Sequence, residues 1–181
     1  MHTRSLFSGM FVVVAVLTQA AIALSHPSGS SVMILAHGPA GLRIQGKSAE
    51  VSVEEDASAL TFKVPIAPID TGIGLRDRHL REMLEVEKFP DAILRVPRSE
   101  VTFPKEREPA EGTVKGDLTL HGQSRPVDVH YRAEVGAGGI TKVQGALQVD
   151  LREFEIRSPS YLGVTVAPVV EVKVDLAIDD T

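Results

Sequence analysis

The sequence predicts an all-β domain of about eight antiparallel strands with one short helix at about residues 74–86. Three observations lead there. Apolar and polar residues alternate with period two along most of the chain, turns rich in glycine or proline separate the alternating runs, and one segment alone changes to a helical period. Clean alternation marks antiparallel strands with one wet face. Sheets of this size with short turns close into a barrel or split into a sandwich, and periodicity does not choose between them.

In chain order, residues 1–25 read as an export signal. Arg4 supplies the positive start, Leu6 to Ala23 is a mostly apolar stretch, and Ala23-Leu24-Ser25 or Ala21-Ile22-Ala23 offers small residues for cleavage. An uncleaved anchor is the competing reading, disfavoured by the polar interruptions at Ser8, Gly9, Thr18 and Gln19. Cleavage takes Arg4 away, leaving eighteen basic residues against 24 acidic ones, a net charge of −6.

The remaining residues, 26–181, form one domain. Strands are expected at Val32 to His37, around Val51 and Val53, and along Leu60, Phe62 and Val64. The helix follows, with Leu80, Met83 and Leu84 on one face and Arg78, Arg81, Glu82 and Glu85 on the other. Further strands are expected at Ala92 to Val96 and Val101 to Phe103. Val114 to Leu120 and Val127 to Val135 alternate without a fault, joined by a turn at residues 121–126. Gly136-Ala137-Gly138-Gly139 then makes a hairpin turn, because glycine supplies the positive φ such turns need. Val143, Gly145, Leu147 and Val149 share a face of the next strand, and Val170, Val172, Val174, Leu176 and Ile178 share one on the last.

Composition excludes several chemistries. The chain has no Cys, which removes disulfides, thiolate metal sites, cysteine nucleophiles and a lipid-modified N-terminal cysteine. A net charge of −5 and only 4% aromatic residues argue against nucleic acid as a partner. The histidines stand far apart in sequence, with no metal-ligand spacing, no Gly-x-Ser-x-Gly elbow is present, and Gly72-Ile73-Gly74 lacks the third glycine of a dinucleotide loop. No catalytic and no metal-ligating residues are therefore assigned. The inward face remains. Its residues are mostly Val and Leu, with Gly116 and Gly145 adding no volume, so an eight-stranded barrel built from them either encloses an apolar cavity or packs solid.

Two ordered stretches carry a family likeness. Asp70-Thr71-Gly72, Arg76-Asp77-Arg78-His79-Leu80 and Glu87-Lys88-Phe89-Pro90 form the first, and Gly116 to Gly122 followed by Arg125-Pro126-Val127 forms the second. With Val149-Asp150, Phe154 and Glu171 to Leu176, they resemble the YceI-like polyisoprenoid-binding family over about residues 31–178. The resemblance implies an extended, lipocalin-like eight-stranded antiparallel β-barrel, exported to the periplasm or beyond. It also implies a long apolar ligand, a polyisoprenoid or isoprenoid quinone, threaded through the interior, and it brings no catalytic residues. The chain departs from the pattern at residues 32–41, which lack an aromatic-rich start, and at residues 159–166, which replace a glycine-rich loop.

On that reading the wall is expected from Leu60, Phe62, Val64, Val114, Leu118, Val129, Tyr131, Leu147 and Val149, with Leu80, Met83, Leu84 and Phe89 closing one end. Tyr131 and Tyr161 are candidate donors to a headgroup, and Arg76 a candidate partner for an anionic one. The expected role is a carrier or scavenger of isoprenoid-type lipid, with no permanent membrane anchor, no nucleic acid, no cofactor beyond the bound lipid or quinone, and a homodimer left open. The competing reading is an interaction or stress-response protein with a filled barrel. An enzyme using His79 or His121 is the third.

Overall fold

A computed structural model describes residues 22–24, 29–136, 140–158, 160–161 and 164–179. The strands are β1 (Ile22–Leu24), β2 (Ser31–His37), β3 (Arg43–Ser48), β4 (Ser52–Glu55), β5 (Ala59–Pro65), β6 (Asp91–Pro97), β7 (Ala110–Leu120), β8 (Gln123–Val135), β9 (Ile140–Asp150), β10 (Ser160–Tyr161), β11 (Val164–Thr165) and β12 (Val169–Asp179). The one α-helix among the described residues is α1 (Gly74–Met83). The fold is all-β and antiparallel, as expected. The export segment expected over residues 1–25 falls outside the described residues except for β1, which pairs with β4.

Ten strands form one sheet in the order β1-β4-β5-β6-β7-β8-β9-β12-β2-β3, and β10 pairs with β11 apart from it. From β4 to β9 each strand pairs with the next in sequence, β12 follows β9, and β12 then pairs with β2. The sheet is therefore a meander curled back on itself, with its ladder open between the β1–β4 edge and β3. Two contacts span that gap. Val32, Val51, Val53 and Leu176 form one buried cluster that joins the β4 side to β2 and β12. Lys47 of β3 and Asp70 exchange backbone hydrogen bonds, both 2.9 Å.

The main sheet holds ten strands rather than eight. β3 was not expected, because Arg43-Ile44-Gln45-Gly46-Lys47-Ser48 carries one large apolar residue where a strand face usually carries three. Gly46 is used for close approach: a Cβ there would stand 3.0 Å from the Ile69 side chain. Val101 to Phe103, expected as a strand, is irregular. That segment meets a β8 side chain instead: Thr102 N–H donates to the Tyr131 hydroxyl at 2.9 Å, and the Tyr131 hydroxyl donates to Thr102 O at 3.3 Å.

The helix ends at Met83 rather than 86, because Glu85 adopts a left-handed conformation (φ 45°). Its carbonyl then accepts from Lys88 N–H at 2.8 Å and Phe89 N–H at 2.9 Å, turning the chain away from the helix axis. At the other end no side chain caps Ile73. Asp77 ties the first turn down instead, accepting from Thr71 N–H at 2.9 Å and from the Thr71 hydroxyl at 2.5 Å. Arg81 donates to Ala67 O at 3.1 Å and fixes the last turn.

Under the helix end the packing is close. Phe154 and Ile66 are each 1% exposed and belong to one cluster with Ile69, Leu84, Leu151 and Ile156. Removing the Phe154 ring from such a site costs about 3–5 kcal/mol. Phe154→Ala should therefore lower the urea unfolding free energy by that much, and a loss under about 1 kcal/mol would show that this cluster is not close-packed.

Three surface turns share one device. Asp56, Asp77 and Asp150 are each held below the ordinary carboxylate value, chiefly by side-chain hydrogen bonds from Ser58, Thr71 and Arg152 respectively. A depressed folded-state value gives stabilisation that is complete above the ordinary Asp value of about 3.9 and is lost as pH falls through the lower one. In urea titrations from roughly pH 6 to 2, the midpoint should fall in acid, and less steeply for Asp77→Asn than for the unsubstituted chain. Equal acid sensitivity of the two proteins would contradict the assignment.

Candidate functional site

The curled sheet encloses an apolar cavity of about 1190 Å³. Every long strand contributes its inward positions: Val32 and Ile34 from β2, Ile44 from β3, Val53 from β4, Leu94 from β6 and Leu120 from β7 are examples. The cavity exists because these side chains are small for the circumference they must fill. β12 offers Val170, Val172, Val174, Leu176 and Ile178, and β9 opposes them with Gly145 between Val143 and Leu147. A Cβ at Gly145 would meet only Val174 Cβ, at 3.9 Å, so the glycine leaves room that a larger residue would occupy. Gly116 works differently, since a Cβ there would stand 2.8 Å from Leu94 and 3.1 Å from Arg95 O; that glycine lets β6 and β7 approach. A filled core does not describe this interior.

Polar groups collect at the two ends. Arg76 and His79 of α1, Thr71, Arg157 and Ser158 line the helix end. At the far end lie Glu55, which accepts from Arg98, and Thr102 beside Tyr131. Between the ends the wall is hydrocarbon.

Leu60, Phe62, Val64, Val114, Leu118, Val129, Tyr131, Leu147 and Val149 all stand on the cavity wall, as do Arg76, Leu80, Met83 and Leu84 at the helix end. Phe89 does not line the cavity. The left-handed turn at Glu85 carries it outward, and its ring packs edge-on to His121 with centroids 5.1 Å apart. That ring also covers Gly122, where a Cβ would come within 2.7 Å. The Tyr131 hydroxyl is already engaged by the Thr102 backbone, so its ring rather than its hydroxyl faces the cavity. Tyr161 lies in β10, and its side chain is outside what the structure describes.

Sequence reasoning missed several lining residues. Leu42, Ile73 and Leu75 flank the helix end, and Phe103 the other. Leu42, Ile73 and Phe103 lie in irregular segments and Leu75 in the first turn of α1, where no run of alternation marks them. Ile34, Val172 and Val174, by contrast, lie in alternating runs whose inward face could have been named.

The histidines disperse. His37 pairs with Glu171 at 3.4 Å, and His130 Nδ1 meets the Thr113 hydroxyl at 2.8 Å. His121 Nδ1 lies 3.1 Å from Phe154 O, while its Nε2 stands 3.7 Å from Glu85. Among the described residues no three of His, Asp and Glu gather as metal ligands, and no helix is long and apolar enough to cross a membrane.

Solved structures share this architecture. A polyisoprenoid-binding domain from Saccharophagus degradans, described as implicated in plant cell wall breakdown, superposes with a TM-score of 0.72. It is 16% identical, and the alignment covers 89% of this chain and 98% of that one. BcnA of Burkholderia cenocepacia matches with a TM-score of 0.63 at 18% identity, over 82% of this chain and 95% of that one. At such identities the likeness establishes the fold. Among curated sequences, UPF0312 proteins of Vibrio cholerae are 28% identical over 109 residues, 56% of this chain and 54% of theirs. The chain thus spans about half the length of the curated relatives it matches. A model of the YceI-like domain matches residues 25–178, nearly all of the curled sheet and its helix. With strand order, cavity and both signature stretches in place, the chain belongs to the YceI-like family.

Proposed function

We propose that this chain is an exported binding protein that holds one long apolar molecule of isoprenoid type, a polyisoprenoid or an isoprenoid quinone, inside its β-barrel. The observation that carries this reading is the unbroken hydrocarbon wall between two polar ends. The name of the Saccharophagus degradans neighbour supports the ligand class. In this reading residues 1–25 direct export to the periplasm or beyond, residues 26–181 are the working domain, and the protein acts as carrier or scavenger rather than as an enzyme.

The energetics suit the role. Each buried CH₂ contributes about 0.8 kcal/mol, so a stretch of ten gives about 8 kcal/mol, micromolar affinity before ordering costs are subtracted. Affinity therefore needs length and dryness more than polar contacts. The inward residues of β5, β7, β8 and β9 grip the chain, while Leu80, Met83 and Leu84 close over it. Arg76 meets a polar or anionic headgroup at the helix end, with Tyr161 a further donor.

Gly145 offers the cleanest test. Gly145→Leu places a branched side chain in the cavity at a position where its Cβ meets only ordinary contact. Its binding of a radiolabelled isoprenoid quinone dispersed in detergent should weaken at least about tenfold, the equivalent of two lost methylene contacts. Circular dichroism should remain that of the unsubstituted chain, which itself binds the quinone one to one. No binding by the unsubstituted chain, or equal binding by both proteins, would overturn the reading.

A further inference from the structure

Three large apolar side chains at the helix end are substantially exposed: Leu42 (42%), Ile73 (51%) and Leu75 (52%). All three also belong to the cavity wall. The Lys47–Asp70 bridge is antiparallel, so moving back along β3 towards Leu42 moves forward from Asp70 towards Leu75. The three residues line the same cavity, Leu42 just before β3 and Ile73 and Leu75 at the start of α1. Exposed apolar groups grouped at a cavity mouth are more than scattered surface hydrophobes.

Charge at this rim opposes that of the whole. The chain carries −5, yet residues 42–43 and 73–79 together hold Arg43, Arg76 and Arg78 against the single acid Asp77, and Asp77 is engaged by Thr71. The opposite end also exposes an apolar residue, Phe103 at 42%. There the neighbouring residues 105–111 hold Lys105 and Arg107 against Glu106, Glu108 and Glu111. Over residues 42–48 and 70–82 the basic side chains Arg43, Lys47, Arg76, Arg78 and Arg81 outnumber Asp70, Asp77 and Glu82, whereas at the far end Arg98, which lies over the Phe103 ring, is paired with Glu55.

We infer that the helix end of the cavity docks on an anionic lipid bilayer, with Leu42, Ile73 and Leu75 entering the interface and Arg43 and Arg78 facing lipid phosphates. Apolar insertion together with basic residues is the pairing that holds proteins at anionic membrane surfaces. Docked this way, the opening meets the acyl region directly, and an apolar chain passes between bilayer and cavity without crossing water. The inference rests on reading the cavity as a lipid site.

Cosedimentation with vesicles tests it, using phosphatidylcholine alone and phosphatidylcholine mixed with phosphatidylglycerol. The unsubstituted chain should pellet with the anionic vesicles only, and salt should release it. The double variant Arg43→Glu/Arg78→Glu changes exposed residues outside the cavity wall. It should bind detergent-dispersed quinone as before, while its partition onto anionic vesicles falls at least about tenfold. Ile73→Ser/Leu75→Ser should also lower vesicle binding. The same charge reversal at the far end, Lys105→Glu/Arg107→Glu, should leave vesicle binding unchanged. A chain that binds quinone but ignores anionic vesicles overturns the inference and leaves the cavity reading standing; vesicle binding without quinone binding overturns the cavity reading instead. Equal loss in the far-end variant would show nonspecific attraction, and a rim variant that dissociates a dimer with no change on vesicles would show a self-interface. Either result overturns the docking surface.

Discussion

β12 hydrogen-bonds to β9 along eleven residue pairs on one side and to β2 along six on the other, and the second ladder brings the last strand of the chain against the first long one. A meander without that pairing would be an open sheet with a bare apolar face. With it, the inward residues of nine strands face a common axis. The ladder remains open between β3 and the β1–β4 edge, where side-chain packing and two backbone bonds to Asp70 take its place. The helix, held by Thr71 and Ala67, then covers one end.

The curl and the residue sizes together decide what the interior is. β-Branched side chains suit a pleated surface and are short, so they line a wide ring without meeting across it. Phe62 and Tyr131 are the only aromatic rings on the described wall between the end loops. The largest fully buried side chains beneath the helix are Phe154 and Ile66. An apolar space of this size forgoes dispersion contacts that an occupant restores. A ligand that enters therefore stabilises the folded state in proportion to its affinity, and stability and binding are coupled by mass action.

Much of this was legible in the sequence because alternation reports burial directly. β7, β8, β9 and β12 are long, regular and wet on one side, and Val114, Leu118, Val129, Tyr131, Leu147, Val149 and Val172 among their alternating residues face the cavity, while Gly116 serves the close approach of β6 and β7. β3 was invisible because Gly46 and Ser48 occupy its inward positions, leaving Ile44 as the only apolar signal. Phe89 was misplaced because helical periodicity cannot see a left-handed residue: nothing in Glu85 as a residue type announces a positive φ. Val101 to Phe103 has strand-like composition, yet its backbone bonds to the Tyr131 side chain rather than to a ladder. The rim residues Leu42, Ile73 and Leu75 sit in turns and at a helix start, where exposure depends on tertiary placement.

The central claim is that the interior is a binding site for one long apolar chain. Native mass spectrometry of the protein purified from its own host, without detergent, tests it most directly. The expected spectrum shows a folded species carrying one stoichiometric adduct, which organic extraction identifies as an isoprenoid lipid or quinone. A spectrum of bare protein alone, with nothing in the extract, would contradict it.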